Sequence, residues 1–338
     1  MRILVTGGAG FIGSNLVRYL LKAYRDIRVV NLDLLTYAGN QDNLIGVQDD
    51  PRYRFVHGAI YDAPLVTELV RDVDAVVNLA AESHVDRSIE HDAPFVRTNV
   101  TGTHTLLRAA LTAPTPPRFV QVSTDEVYGD LPWIDPDDPQ VDPLRFTEST
   151  PLAPRSPYSA TKASGDMLAV AYHCTHGLDV VVTRCSNNYG PHQFPEKLIP
   201  LMVTNAMRGE PLPVYGDGLN VRDWIHVSDH CRGLDLALQQ GRSGEVYNFG
   251  GCAERTNLQV VSEILEQTGA DSNLVTFVED RLGHDRRYSV DSSKAKVELL
   301  WEPRIAFHEG LARTIKWYQQ NGEWLARIRS GAYLHGRG

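Results

Sequence analysis

The first fourteen residues, MRILVTGGAGFIGS (1–14), decide the fold of this chain. The apolar run RILVT is typical of a buried strand, and glycines 7, 10 and 13 follow it directly. The next stretch, SNLVRYLLKAY, has the spacing of an amphipathic helix. A strand that enters a helix through a glycine-rich turn is one unit of a sheet in which strands and helices alternate.

The same alternation continues through the first half of the chain. Apolar runs such as RVVNLD, DAVVNLAA and RFVQVST alternate with helical stretches such as SPYSATKASGDMLAVAYHCTH. This pattern predicts an α/β fold, a doubly wound parallel sheet of the Rossmann type with at least six strands. After about residue 187 the runs become shorter, which indicates a smaller α/β domain that exchanges segments with the first. We expect one domain over 1–186, with returning segments near 224–250, and a second mainly over 187–338.

The composition limits the classes of function. With 338 residues, a net charge of −9 and a pI near 5.7, the chain does not resemble a protein that holds nucleic acid or an anionic membrane. No apolar run reaches the roughly 18 residues of a membrane span. The four cysteines occur singly, without the spacing of metal ligands. We therefore expect a soluble cytoplasmic protein with reduced thiols, no bound metal, no nucleic-acid partner and no membrane contact.

The glycine turn and one carboxylate predict a dinucleotide cofactor. Gly7, Gly10 and Gly13 allow a backbone to approach a pyrophosphate, although a glycine-rich turn can also simply join a strand to a helix. Asp33 ends the second apolar run, twenty residues after Gly13. A carboxylate there accepts hydrogen bonds from a ribose and repels a 2′-phosphate, which favours NAD over NADP.

Tyr158 and Lys162 stand four residues apart in SPYSATKAS (156–164), on one face of a predicted helix. Tyrosine, with a pKa of about 10, is a poor base at neutral pH. A neighbouring ammonium and a positive nicotinamide ring would stabilise its phenolate. Such a pair occurs by chance in many helices. Together with the glycines, Asp33 and the hydroxyls of Ser123–Thr124, it is similar to the extended short-chain dehydrogenase/reductase superfamily.

The stretch VSTDEVYGD (122–130) places Asp125 and Glu126 side by side at the end of a predicted strand. Neighbouring side chains of a strand point to opposite faces, so the pair is expected in the turn beyond the strand. In an open α/β sheet that edge is where ligands bind. Taken alone, the two acids could equally be solvated residues of a turn.

Several long, irregular segments resemble the dTDP-glucose 4,6-dehydratases, along almost the whole chain. They are NLDLLTYAGN, NLAAESHVDRSI, STDEVYGDL, YSATKAS, CSNNYGPHQFPEKLIP, VRDWIHV, RLGHDRRY and EWLARIRSGAY. The resemblance implies an NAD-dependent hydro-lyase that turns dTDP-glucose into dTDP-4-keto-6-deoxyglucose and water. It also implies a homodimer, paired through the helices in FVRTNVTGTHTLLRAALTA and SATKASGDMLAVAYHCTH.

The resemblance also implies a role for each catalytic residue. Tyr158, with Lys162 beside it, takes the proton of the C4 hydroxyl while the C4 hydride passes to NAD⁺, and Thr124 hydrogen-bonds the C4 oxygen. Glu126 then removes the C5 proton. Asp125, as a protonated acid, gives its proton to the departing C6 hydroxyl. The hydride returns to C6 and Glu126 reprotonates C5.

Binding residues follow from the same resemblance. The implied cofactor-binding residues are Gly7, Gly10, Phe11, Ile12, Gly13, Asp33, Thr36, Ile60, Thr98, Tyr158, Lys162 and Asn188. The implied substrate-binding residues are Ser83, Thr124, Asn187, Lys197, Arg222, Asn257, Arg281 and His284. One departure is visible, because Ala59 stands where the family usually has an aspartate that contacts adenine.

Two other interpretations remain open from the residues. A nucleotide-sugar 4-epimerase or decarboxylase shares the glycines and the Tyr/Lys pair, but neither reaction needs acid and base groups at C5 and C6. A non-catalytic NAD-binding regulator could dispense with Tyr158, Lys162 and the acids. The sequence leaves open the nucleotide base and the pathway that uses the product.

Overall fold

The computed structural model describes residues 1–135, 144–280 and 283–336. Its strands are β1 Arg2–Thr6, β2 Arg28–Asp33, β3 Tyr53–His57, β4 Ala75–Asn78, β5 Arg118–Thr124, β6 Val180–Cys185, β7 Asn187–Tyr189, β8 Leu212–Tyr215, β9 Val221–His226, β10 Val246–Phe249, β11 Glu254–Thr256 and β12 Val275–Val278. Seven of them form the main sheet, in the order β10-β6-β5-β4-β1-β2-β3, with every pair parallel. The expected doubly wound parallel sheet is confirmed.

The helices are α1 Phe11–Ala23, α2 Ala63–Val70, α3 Val85–Glu90, α4 Ala93–Phe95, α5 Thr103–Thr112, α6 Pro157–His176, α7 Leu198–Ala206, α8 Val227–Gln240, α9 Asn257–Thr268, α10 Ser293–Leu299, α11 Phe307–Gln320 and α12 Gly322–Arg329. A π-helical stretch, Val96–Gly102, joins α4 to α5. The single long helix expected over FVRTNVTGTHTLLRAALTA is therefore continuous but wound more loosely in its first half. One-turn 3₁₀ helices lie at Gln41–Leu44, Asp125–Tyr128, Ser272–Leu274 and Ala332–Gly336.

Helices cover both faces of the main sheet. Ile3 and Val5 of β1 belong to the core that α1 and α8 close, whereas Leu4 belongs to the core under α2, α5 and α6. Successive side chains of a strand point to opposite faces, so the central positions of β1, residues 3–5, are all apolar. This double burial explains why the strands read as continuous apolar runs rather than as alternating patterns.

The second half of the chain builds two smaller sheets and a second core. Strand β9 lies between β7 and β11, and β8 pairs with β12. The core beside them contains Tyr189, Trp224, Leu311 and Trp324 and is closed by α7, α9, α11 and α12. Strand β10 leaves this region and pairs in parallel with β6 in the main sheet. The described residues include no helix long and apolar enough to cross a membrane.

Three histidines, two buried and His192 partly buried, have pKa values that favour the uncharged form in the folded protein. Burial lowers the pKa of His192 to about 3, of His226 to about 4 and of His230 to about 3. In the unfolded chain each side chain takes up a proton near its ordinary pKa of about 6.5. Below that pH the unfolded chain binds more protons than the folded one, so the folded state loses stability as the pH falls toward 4.

We expect the free energy of unfolding to decrease from pH 6.5 to pH 5, by about 1.4 kcal/mol per pH unit for each of these histidines. His192→Asn tests this, because asparagine tolerates the left-handed backbone at this position (φ 68°). The variant should lose about a third of the histidine-dependent slope. Urea unfolding at several pH values measures it, and equal slopes in the two proteins would contradict the assignment.

Candidate active site

Two adjoining cavities open at the carboxyl ends of the main-sheet strands. The first, which we call the inner cavity, has a volume of about 320 Å³, and the second, the outer cavity, has about 600 Å³. Glu126, Asn187 and Lys197 line both cavities, so the two form one cleft. The outer cavity extends to Trp224 of β9 and Asn257 of α9. The cleft therefore joins the main sheet to the second half of the chain.

The cleft brings together residues predicted from distant parts of the sequence. The inner cavity is lined by Gly7, Gly10, Phe11, Ile12, Gly13, Asp33, Thr36, Ile60, Ser83, Thr98, Thr124, Asp125, Glu126, Tyr158, Lys162, Asn187, Asn188 and Lys197. The outer cavity is lined by Glu126, Asn187, Asn188, Lys197, Arg222, Asn257 and His284. Arg281 lies outside the described residues.

The glycine turn has no room for side chains. Gly7 has a φ of 70°, and a Cβ atom on it would lie 2.7 Å from the backbone nitrogen of Ala80. A Cβ atom on Gly13 would lie 2.2 Å from the carbonyl oxygen of Gly7. The first turn of α1 thus packs directly on the loop after β1, and Phe11, Ile12 and Gly13 at its start line the inner cavity. A helix N-terminus in this position is suited to a pyrophosphate.

Asp33 holds the loops around it as well as lining the cavity. Its Oδ2 accepts the amide of Ala9 at 2.8 Å, and its Oδ1 accepts the amide of Leu35 at 2.7 Å. Each carboxylate oxygen has a second lone pair, so these bonds leave acceptor capacity for a ligand hydroxyl. Asn31 supports the same turn, since its Oδ1 accepts the amide of Gly8 at 3.0 Å.

The two adjacent acids after β5 lie in different surroundings. Thr124 begins a 3₁₀ turn; its Oγ1 accepts the amide of Glu126 at 3.3 Å and donates to Asp125 Oδ1 at 3.2 Å. Asp125 is only 2% exposed, whereas Glu126 borders both cavities. Burial, then the charges of Glu126 and Asp223, raise the pKa of Asp125 well above its ordinary value. Burial therefore favours the protonated form of Asp125, which lies beside a more accessible carboxyl group.

Helix α6 places Tyr158 and Lys162 one turn apart. Ser156 and Ser159 cap its start reciprocally, which fixes where the helix begins. Lys162 Nζ donates to the carbonyl oxygen of Val122 at 2.7 Å, and burial lowers the pKa of this lysine. Burial, then Glu126, raises the pKa of Tyr158 well above its ordinary value. In the structure the phenol keeps its proton, and a positive charge beside it is needed to make it a base.

A buried ion pair joins this helix to β6, and no motif in the sequence marks it. Arg184 Nε donates to Asp166 Oδ2 at 3.0 Å, and its Nη1 donates to the hydroxyl of Tyr128 at 2.9 Å. The Tyr128 hydroxyl in turn donates to Asn248 Oδ1 at 2.8 Å. This chain of contacts ties α6 to β6, to the turn after β5 and to β10.

The outer cavity contains charged residues that the sequence analysis did not single out. Glu196 lies next to the predicted Lys197, and Arg155 forms ion pairs with Asp130 at 2.8 Å and with Asp285 at 3.1 Å. The guanidinium of Arg222 lies 4.4 Å from the ring centroid of Tyr288. Within the described ranges, no group of three or more His, Cys, Asp or Glu residues could hold a metal ion.

Comparison with known proteins places this cleft among nucleotide-sugar enzymes. The pattern of the GDP-mannose 4,6-dehydratase family matches residues 4–314. The chain is 52% identical to the dTDP-glucose 4,6-dehydratase of Streptomyces niveus, over 98% of this chain and 96% of that protein. It is 54% identical to DesIV, the dTDP-glucose 4,6-dehydratase of Streptomyces venezuelae, solved with NAD and TYD bound; the TM-score is 0.91, over 97% of this chain and 100% of that chain. A UDP-glucose 4-epimerase of Thermotoga maritima is 31% identical, with a TM-score of 0.85, over 95% of this chain and 99% of that chain.

The close packing at Gly13 can be tested without any ligand. Gly13→Ala should lower the free energy of unfolding by about 1–3 kcal/mol, because the new methyl group meets backbone atoms that cannot turn away. Gly322→Ala is the matched control, since nothing lies within 4 Å of a Cβ atom built there. That change should stay within about 0.5 kcal/mol. Denaturant unfolding compares the two, and equal effects would contradict the tight turn.

Proposed function

The chain belongs to the family of dTDP-glucose 4,6-dehydratases, and on that premise we propose that it converts dTDP-glucose to dTDP-4-keto-6-deoxyglucose and water. One observation carries the proposal. The buried Asp125, whose protonated form is favoured, and the more accessible Glu126 line the same cavity as Tyr158 and Lys162. An oxidoreductase or an epimerase needs only Tyr158 and Lys162. Elimination of water across C5 and C6 also needs an acid and a base such as Asp125 and Glu126.

The inner cavity fits NAD. Phe11, Ile12 and Gly13 at the start of α1 line the cavity, and the first amides of a helix, which have no acceptor within the helix, suit a pyrophosphate. Asp33 presents a carboxylate for a ribose and against a 2′-phosphate. Ile60 and Ala59 line the part of the cavity beyond β3, so no carboxylate contributes at position 59. When bound, NAD⁺ takes up a hydride from C4 of the sugar and supplies it again at C6.

Tyr158 is the base for the C4 hydroxyl, and Thr124 holds the C4 oxygen. The raised pKa of Tyr158 means that the phenol must first lose its proton to act as a base. The cation of Lys162 and the positive ring of the oxidised cofactor favour that loss. Removal of the C4 hydroxyl proton is therefore confined to the site with oxidised cofactor bound.

Glu126 removes the C5 proton, and Asp125 protonates the departing C6 hydroxyl. The two proton transfers occur at neighbouring carbons of the sugar. The two carboxyl groups are neighbours in the chain, but they differ in burial. Burial keeps the proton on Asp125, so a donor is present before elimination begins. Glu126 then returns the proton to C5, which completes the product.

The outer cavity takes the nucleotide diphosphate. Arg222 donates through Nη2 to the carbonyl oxygen of Asp285 at 2.9 Å, which fixes the guanidinium at the cavity wall. Its planar fork suits a diphosphate oxygen pair. Ser83, Asn187, Lys197, Asn257, Arg281 and His284 complete the proposed set of substrate contacts. Lys197 Nζ donates to the carbonyl oxygen of Ser83 at 3.1 Å, which joins the two sides of the cleft.

The division of the chain follows from this assignment. We assign NAD binding to residues 1–186 with returning segments near 224–250, and sugar-nucleotide binding mainly to 187–338. The protein is proposed to be cytoplasmic and homodimeric, pairing through the 93–112 helix and α6. Large apolar side chains on both support the pairing, since Val96 is 47% exposed and Met167 is 56% exposed.

A substrate panel and two variants test the reaction together. The wild type is incubated in deuterated buffer with the dTDP, UDP, GDP and CDP esters of glucose, and dTDP-glucose should give 4-keto product most efficiently. If only the UDP, GDP or CDP ester gave 4-keto product, the nucleotide base assigned to the substrate would be wrong. A 4-epimer without loss of water would identify an epimerase instead, and no conversion of any ester would indicate the non-catalytic regulator.

Glu126→Gln and Asp125→Asn should separate the steps. Both variants should still oxidise C4, seen as absorbance of enzyme-bound NADH, and both should slow formation of product by about 10²-fold or more. Deuterium should enter C5 in Asp125→Asn but not in Glu126→Gln, because only the latter lacks the C5 base. Mass spectrometry of the recovered sugar measures this. Deuterium at C5 at the wild-type rate in Glu126→Gln would refute its role.

A further inference from the structure

The loop after β2 forms one wall of the inner cavity. We call residues 34–45 the β2 loop; Leu34, Thr36 and Gly39 are among the residues that line the cavity. Leu35, which is buried, has a φ of 55°. This left-handed conformation is unfavourable for a residue other than glycine and persists only where surrounding contacts impose it. The shape of the cavity wall therefore depends on what holds the β2 loop from outside.

The C-terminal end of the chain lies against the outside of this loop. We call residues 322–336 the C-terminal arm; it consists of α12 and the 3₁₀ turn Ala332–Gly336. Three of its side chains bind the β2 loop. Trp324 Nε1 donates to Asn43 Oδ1 at 2.8 Å, Arg327 Nε donates to Asp42 Oδ2 at 2.6 Å, and the Tyr333 hydroxyl donates to the Tyr37 carbonyl oxygen at 2.7 Å.

Asn43 connects the C-terminal arm with the glycine turn through the two ends of its side-chain amide. Its Nδ2 donates to the carbonyl oxygen of Ala9 at 2.9 Å, while its Oδ1 is occupied by Trp324. Ala9 also accepts the amide of Asn40 at 3.0 Å. Asn43 is only 2% exposed, so neither bond competes with water. One carboxamide thus connects the arm with the turn that is suited to a pyrophosphate.

The arm is itself anchored in the second core. Trp324, Leu325 and Ile328 are buried there, and the Trp324 ring packs 5.0 Å from Trp317 of α11. The arm therefore links the region that lines the outer cavity to the wall of the inner one. Its indole and phenol donors are largely buried, whereas the Arg327 side chain is 43% exposed, so its ion pair is the weaker link.

We propose that the C-terminal arm acts as a clasp: it holds the β2 loop in the conformation that forms the wall of the inner cavity, and it thereby slows the release of NAD. The inference rests on the proposed function, in which the hydride taken from C4 must be given back at C6. If the reduced cofactor left between these steps, the sugar would remain as an unsaturated ketone. A reaction of this kind requires slow release of its cofactor, and Trp324, Tyr333 and Asn43 are positioning residues for that purpose.

The test removes two hydrogen-bond donors and keeps an aromatic ring, smaller at position 324, at both positions. In Trp324→Phe/Tyr333→Phe, bound NAD⁺ should exchange with isotopically labelled NAD⁺ about tenfold faster or more than in the wild type, as expected for two lost buried bonds. Mass spectrometry of protein recovered after rapid desalting measures the exchange, and the NAD content after prolonged dialysis should decrease. Trp317→Phe is the matched control, because no hydrogen bond joins Trp317 to the β2 loop in the described structure; its exchange rate should equal that of the wild type.

The outcomes are decisive in both directions. Wild-type exchange in the double variant overturns the clasp, and equal acceleration in Trp317→Phe overturns it by showing that loosened packing suffices. If the double variant does not fold, Arg327→Gln, which alters a half-exposed side chain, should accelerate exchange by about twofold; no acceleration overturns the proposal. Exchange is measured without sugar, so a failure of the dehydratase assignment is distinguished from a failure of the clasp.

Discussion

The burial of ionisable side chains at the carboxyl end of β5 is the constraint on which the rest of the site depends. A charge inside a protein must be paired or neutralised, and each group here meets that requirement differently. Lys162 binds a backbone carbonyl, Asp166 pairs with Arg184, and burial favours the protonated form of Asp125. These solutions require α6, β5 and β6 to be fixed relative to one another, which the doubly wound sheet provides.

The same arrangement explains how one site performs both acid and base chemistry. Asp125 and Glu126 differ by one position in the chain, but the turn that Thr124 begins buries the first and leaves the second at the junction of the two cavities. A neutral donor and an accessible carboxyl group then stand side by side. Tyr158 faces the same space, so oxidation and elimination take place without moving the sugar between sites.

Much of this could be predicted from the sequence, and what could not has a common cause. Continuous apolar runs and the turn at Gly7–Gly13 indicate a parallel sheet because both are local patterns. The proposed site residues come from long segments that resemble a known family, and most of them line one cleft. By contrast, the Asp166–Arg184 pair and the bond between Trp324 and Asn43, 281 positions apart, join segments that only the folded chain brings together. No periodicity or motif marks such contacts.

The central claim is that one bound cofactor carries a hydride from C4 to C6 of the same sugar. It is tested most directly with dTDP-glucose that carries deuterium at C4 and carbon-13 throughout the glucose, mixed with unlabelled dTDP-glucose in ordinary water. The account predicts that the label appears at C6 of the 4-keto-6-deoxy product, within the molecule that carried it at first. Deuterium that returns to C4, is transferred to the unlabelled sugar or is lost to solvent would contradict it.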